Sequence, residues 1–288
     1  MTMWELWNVG RMGTKSRFAA VSLCWALMVL FGGRIAMAGP PFQTDDPDPV
    51  PFQHFEMYAF GLSSSASDGT TLAFPSYELN YGVAPNVQLH LVVPVVASLP
   101  SDGASHYGIG DTELGAKIRL VKETKLLPEV GIFPFIELPS GDAAKGLGVG
   151  AAWYRLPLWI QKSWGKWTSY GGGGETLVPV EGEKNFPFAG LLVQREVNKK
   201  LTLGSELFGH GAMSEGAGSS TLLDAGGFYE IKEGFDLLFA GGHSIAGQAE
   251  TYAYLALYWT WGPKGKGSDD AGGGKSGLMA MLAKMRLR

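Results

Sequence analysis

Cysteine is almost missing from this 288-residue chain, which carries a single one at Cys24. One thiol gives no disulfide framework, so the fold must rest on hydrogen bonding and burial. Charge is scarce too, with Asp, Glu, Lys and Arg at 17% of residues against about 25% in ordinary soluble domains. After residue 38 no stretch approaches 18 consecutive apolar residues, which excludes a transmembrane helix there. It does not exclude a β-barrel, whose strands need only about 9–11 residues of alternating character.

What the chain has in abundance is glycine, 42 residues, and aromatics at 12%, a mixture that suits repeated strands and turns better than helices. The N-terminus reads as an export signal. Arg11, Lys15 and Arg17 precede an apolar run from Phe18 to Phe31, and Ala36-Met37-Ala38 places small residues just before Gly39. At 14 residues that run falls short of the roughly 20 a spanning helix needs, which weighs against an uncleaved anchor. Met12 is an alternative start that gives the signal ordinary proportions. Cys24 falls inside this signal, and Val21-Ser22-Leu23 lacks the small residue expected before a lipidated cysteine. Without residues 1–38, four Lys/Arg and one Asp/Glu are lost; 19 basic and 26 acidic residues remain, a net of −7. An acidic balance argues against nucleic acid as a partner.

From about residue 53, segments with period-two character follow one another, twelve in number, at approximately 53–63, 72–83, 86–98, 107–121, 128–139, 148–163, 166–178, 186–197, 200–211, 219–231, 235–245 and 250–262. Their connections alternate in length. Tight turns at Ala84-Pro85-Asn86, Gly165-Lys166, Asn198-Lys199-Lys200 and Lys232-Glu233-Gly234 are separated by polar loops such as "SSASDGT", "PSDGASH", "SGDAAKGLG", "VEGEKN" and "SEGAGSS". Only "KETKLLP" breaks the series by being long where a tight turn is due. Short turns on one rim and long loops on the other form the plan of an outer-membrane barrel, the short side periplasmic. No motif of about 20–50 residues repeats, which argues against a propeller or solenoid. The expected organisation is a signal peptide over 1–38, a periplasmic N-terminal segment over 39–52, a barrel over 53–262, and a Gly/Lys-rich linker with a short basic amphipathic tail over 263–288.

The faces agree with that plan. In "TYAYLALYWTW", Ala253, Leu255, Leu257, Trp259 and Trp261 share one side, and Tyr252, Tyr254, Tyr258 and Thr260 the other. In "GIGDTELGAKIRL", Asp111, Glu113, Lys117 and Arg119 fall opposite Thr112, Leu114, Ala116, Ile118 and Leu120. A soluble sandwich shows the same alternation, but strands of 11 to 15 residues exceed the usual five or six. Tryptophans at 164, 167, 259 and 261 also sit where interfacial girdles belong. The inward set then contains Glu56, Glu78, His90, Asp111, Glu113, Lys117, Arg119, Glu129, Glu137, Arg155, Glu206 and His210, with Asp224 and Glu230 beside them. These are the candidate lumen-lining residues. The four charges at 111, 113, 117 and 119 are first a candidate internal ion-pair network and second a filter.

Several motifs fail on inspection. "GIGDTELG" misplaces the third glycine of a dinucleotide fingerprint and lacks its strand-helix-strand setting. "DAGGGKS" has Asp269 where a phosphate loop needs its first glycine, and "GHSIAG" misses the nucleophile-elbow spacing. Asp45, Asp46 and Asp48 lack the twelve-residue calcium-loop pattern and its closing Glu, so the expectation for them is a solvated linker. No metal and no cofactor is expected.

Taken together, "GPPFQTDDPDPV" after the signal, Glu56 in the first strand, "YGIGDTELGAKIRL", "LTLGSELF" and the closing "YAYLALYWTW" resemble the outer-membrane channel family associated with the phenol-degradation meta pathway. The resemblance covers residues 39–262. It implies an all-β, transmembrane antiparallel barrel of about 12 strands that passes small solutes, aromatic or hydrophobic ones among them. No catalysis is implied. Expected partners are outer-membrane lipids, the solute, and the barrel-assembly machinery during biogenesis. An outer-membrane lipid hydrolase would instead require a Ser/His/acid cluster at one rim. A closed structural or adhesion barrel would require a plugged lumen.

Overall fold

The computed structural model describes residues 40–263. The expected signal peptide and the tail beyond residue 263 lie outside the described residues. Fourteen strand segments follow in chain order: β1 (Phe55–Ala66), β2 (Gly69–Ala84), β3 (Val87–Pro100), β4 (His106–Ile109), β5 (Thr112–Val121), β6 (Glu129–Ile132), β7 (Phe135–Leu138), β8 (Trp153–Trp164), β9 (Trp167–Leu177), β10 (Phe186–Glu196), β11 (Leu201–His210), β12 (Ser220–Lys232), β13 (Phe235–Gly247) and β14 (Thr251–Trp261).

They build a closed barrel of 12 antiparallel strands, because β4 with β5, and β6 with β7, are each one strand interrupted once. Proline causes both interruptions. Pro134, between β6 and β7, has no N–H for the ladder, and the other break faces Pro94, whose carbonyl takes Gly110 N at 2.9 Å. Closure is made by β1 against β14, in register from Phe55↔Trp261 to Ser65↔Thr251. With that seam paired, the sheet closes on itself.

Alternation fixes which face meets what. On β8, Trp153, Arg155 and Trp159 are buried, whereas Leu156, Leu158 and Ile160 are exposed. On β14, Tyr252, Tyr254 and Tyr258 point inward and Leu255 and Leu257 outward. The outer surface is therefore a belt of aliphatic side chains, which water would not favour and hydrocarbon does. Below it, at the rim of short turns, Phe55 stacks on Tyr81 (4.5 Å) and Trp261 (5.3 Å), and Phe235 packs on Trp259 (5.0 Å). Trp164 and Trp167 flank the tight turn at Gly165 on the same rim.

Two local expectations change. "SSASDGT" is not a long loop, because β1 and β2 run on until only Ser67-Asp68 separates them. The strand expected from residue 148 begins at Trp153, because residues 139–152 fold as a loop that Asp111 holds.

Candidate functional site

The lumen is occupied by the chain itself. Residues 40–50 are buried inside the barrel apart from partly covered Pro40 and Asp46, with Phe42 and Thr44 at 0% exposure. The solvated linker expected here is thus corrected. The residues are polar and proline-rich not because they face water but because they thread a space with no free strand to pair with. Pro40, Pro41, Pro47, Pro49 and Pro51 bring no N–H to satisfy, and the N–H groups of Gln43, Thr44, Asp46, Asp48 and Val50 are met by side chains.

The segment runs the length of the barrel. At the short-turn rim, Val50 N donates to Gln88 Oε1 at 2.8 Å, and Phe52 bridges to Gly82. Midway, Glu206 accepts the N–H groups of Gln43 (3.0 Å) and Thr44. Toward the opposite rim, Tyr252 OH donates to Pro41 O at 3.0 Å. Glycines in the wall make room for it. A methyl group on Gly190 would overlap Thr44 Oγ1, one on Gly131 would stand 2.9 Å from Pro47 O, and one on Gly204 3.3 Å from the Phe42 ring. Phe42 itself sits in an aromatic and aliphatic cluster with Tyr58, Phe60, Tyr170, Leu192 and Tyr252.

Of the residues expected to face inward, Glu78, His90, Asp111, Glu113, Lys117, Glu129, Glu137, Arg155, Glu206 and Asp224 are buried, and their partners differ from those anticipated. Lys117 Nζ pairs with Asp45 Oδ1 (2.9 Å) and Asp46 Oδ1 (3.5 Å), and Arg119 Nη1 with Asp48 Oδ1 (2.6 Å) and Glu129 Oε1 (3.6 Å). The two cations of β5 therefore hold the N-terminal segment and do not pair with the acids of their own strand.

The acids of β5 have other tasks. Asp111 accepts Gly141 N (2.9 Å) and Val149 N (2.7 Å), fastening the loop over 139–152 to the wall. Glu113 accepts from His90 Nε2 at 2.6 Å, and His90 Nδ1 faces Asn80 Oδ1 at 2.7 Å, whose amide donates to Glu78 Oε1 at 2.7 Å. Glu113 also stands directly opposite Glu137, as Glu206 does opposite Asp224. Like charges so placed repel, and His90 offsets the first pair as the Gln43 and Thr44 amides offset the second.

Glu56 accepts from Tyr258 OH (2.7 Å) and Tyr58 OH (3.3 Å). Arg155 lies 3.7 Å over the Phe188 ring and 5.8 Å from that of Phe208, a stacked guanidinium in the middle of the lumen. At the long-loop rim His210 Nε2 meets Glu250 Oε1 at 3.1 Å and Nδ1 meets Gly211 O at 2.8 Å, so both ring nitrogens are taken by groups other than a serine hydroxyl. Among the described residues no group of three or more His, Cys, Asp or Glu could hold a metal ion.

Sequence reasoning missed the plug. Its one signal was the unexplained run of wall glycines on an inward-facing register, Gly190 and Gly204 above all, where small residues leave room for a backbone.

The sequence pattern of a family described as "Putative MetA-pathway of phenol degradation" matches residues 59–260. Among solved structures, an outer membrane channel from Pseudomonas putida F1 is 16% identical with a TM-score of 0.61, over 78% of this chain and 100% of that one. The translocator domain of the autotransporter NalP from Neisseria meningitidis is 12% identical with a TM-score of 0.44, over 72% and 87%. OccK11 (OpdR) from Pseudomonas aeruginosa is 12% identical with a TM-score of 0.36, over 69% and 62%. No curated protein matches the chain. The first likeness shows the fold, a closed 12-strand barrel.

Proposed function

Because this chain belongs to the phenol-degradation meta-pathway family, whose pattern spans well over half of it, we propose that it is a bacterial outer-membrane channel for small solutes, gated by its own N-terminal segment. Passage needs no energy source and no cofactor. The barrel shields the solute from hydrocarbon, and polar groups on the wall replace part of its hydration without holding it tightly.

One observation carries the reading: a separate stretch of chain, residues 40–50, runs buried through the lumen. Residues 40–50 form no ladder with the wall and are held by side-chain contacts to Gln88, Lys117, Arg119, Glu206 and Tyr252. Such contacts can be exchanged for contacts to water or solute, whereas a paired strand would have to be pulled from a sheet. The place Phe42 fills, among Tyr58, Phe60, Tyr170 and Tyr252, suits a single aromatic ring, in keeping with the description of the family.

The test is conductance in planar bilayers. Replacing residues 40–50 with a Gly/Ser stretch should convert brief or silent traces into sustained discrete steps, with matching solute flux into liposomes. Silence from both proteins, with the variant folded, would leave a closed structural barrel as the answer.

A further inference from the structure

The connection from β5 to β6, residues 122–128, is the one long turn on the short-turn rim, and the wall holds it in an unusual place. Lys162 continues the outward row Leu156, Leu158, Ile160 of β8 and therefore starts on the outside of the barrel. Its ammonium donates to the carbonyls of Thr124 (2.5 Å), Leu127 (3.3 Å) and Lys125 (3.4 Å) and pairs with Glu123 at 3.1 Å. Ser163 N donates to the same Glu123 carboxylate at 3.0 Å. Inside the turn, Thr124 N donates to Leu127 O, and Thr124 Oγ1 accepts the N–H groups of Leu126 and Leu127. The turn is thus clamped to the end of β8, with Glu123 and Lys162 as the charged pair that holds its shape.

Beside the exposed Lys122, Thr124 and Lys125, it presents two leucines. Leu126 is 91% exposed and Leu127 55%, and they continue the apolar surface of Leu120 and Val121 at the end of β5. A tight polar turn would cost nothing in water, whereas two leucines held outward by a built clamp suit a surface that is not water.

We infer that this turn is a membrane anchor, inserting Leu126 and Leu127 at the boundary between headgroups and acyl chains in the leaflet on the short-turn side. The inference rests on the reading of the chain as a membrane barrel, since the occupant is argued from continuity with the lipid-facing belt. Lys162 then acts as a clamp whose ammonium is neutralised by Glu123 and three carbonyls, which lets a cation sit at that depth.

The test uses the scarcity of cysteine. In full-length protein with Cys24→Ser, a nitroxide is attached through Leu126→Cys, and separately through Glu233→Cys in the tight turn of the same rim and Leu255→Cys in the belt. In phosphatidylcholine/phosphatidylglycerol vesicles, collision with oxygen should exceed collision with a water-soluble nickel chelate severalfold at 126 and 255, and the ratio should invert at 233. Adding Lys162→Met should move position 126 toward the 233 value. If 126 matches 233 while 255 remains lipid-like, the anchor is wrong and the barrel reading stands. Should 255 also prove open to the nickel reagent, both fall.

Discussion

Consider the double variant Asp45→Ala/Asp46→Ala, which alters the plug and leaves the wall as it is. It removes both carboxylates paired with Lys117, one at 2.9 Å with 4% of its side chain exposed, the other at 3.5 Å with 39% exposed. The half-exposed partner contributes little, so most of the effect comes from Asp45. Stripping one side of a buried pair leaves an uncompensated charge, at about 3–5 kcal/mol. Here that cost has an outlet, because the plug can withdraw and admit water to the ammonium. The equilibrium between plugged and open barrel should therefore shift by about a hundredfold to a few thousandfold, at about 1.4 kcal/mol per decade, while the barrel itself stays folded. The assay is open probability from single-channel recordings, with heat-modifiable migration to confirm folding and Asp142→Ala, an acid on the exposed loop, as control. An unchanged open probability in a folded double variant would refute the reasoning, and so would an equal rise in the control.

Two further outcomes follow from geometry. Gly190→Ala places a methyl group where Thr44 Oγ1 lies and 2.9 Å from Phe208, so it should raise open probability, and pairing it with Thr44→Gly should lower it again; no recovery in the pair would show that the clash is not with the plug. Asp111→Asn replaces a charged acceptor of two backbone N–H groups by a neutral one, a loss of about 1–2 kcal/mol. Amide exchange at Gly141 and Val149 should quicken roughly tenfold with strand amides unchanged.

How much of this the sequence carried depends on the range of each interaction. The twelve strands were legible because alternation is local: Leu156, Leu158 and Ile160 against Arg155 and Trp159 state the two faces of β8 with no knowledge of its neighbours. The alternation of charged with apolar positions along β5 was readable for the same reason. The partners of the buried charges were not, since Gln43 meets Glu206 across 163 positions and Lys117 meets Asp45 across 72, and no period in the sequence encodes such meetings. Asp111 illustrates the difference. Its face was readable, but the donors it satisfies belong to a loop 30 to 38 residues away, on amides whose residue types reveal nothing. The plug was harder still, because a segment with neither helical nor strand period looks the same whether solvent or a lumen surrounds it.

Phe52 and Gln53 pin the plug to the wall eight to ten residues from its mid-lumen contacts at Gln43 and Thr44, with Gln53 N donating to Gly82 O at 2.7 Å and Gly82 N to His54 O at 3.0 Å. A gate on so short a leash never dilutes. Once released it remains at an effective concentration of order millimolar over its own seat, so reseating is a first-order event that protein concentration cannot slow. A free peptide copying residues 40–50 would have to reach about that concentration before it competed. Any solute that holds the barrel open must likewise do so by occupying the seat, since the leash prevents the plug from simply being lost.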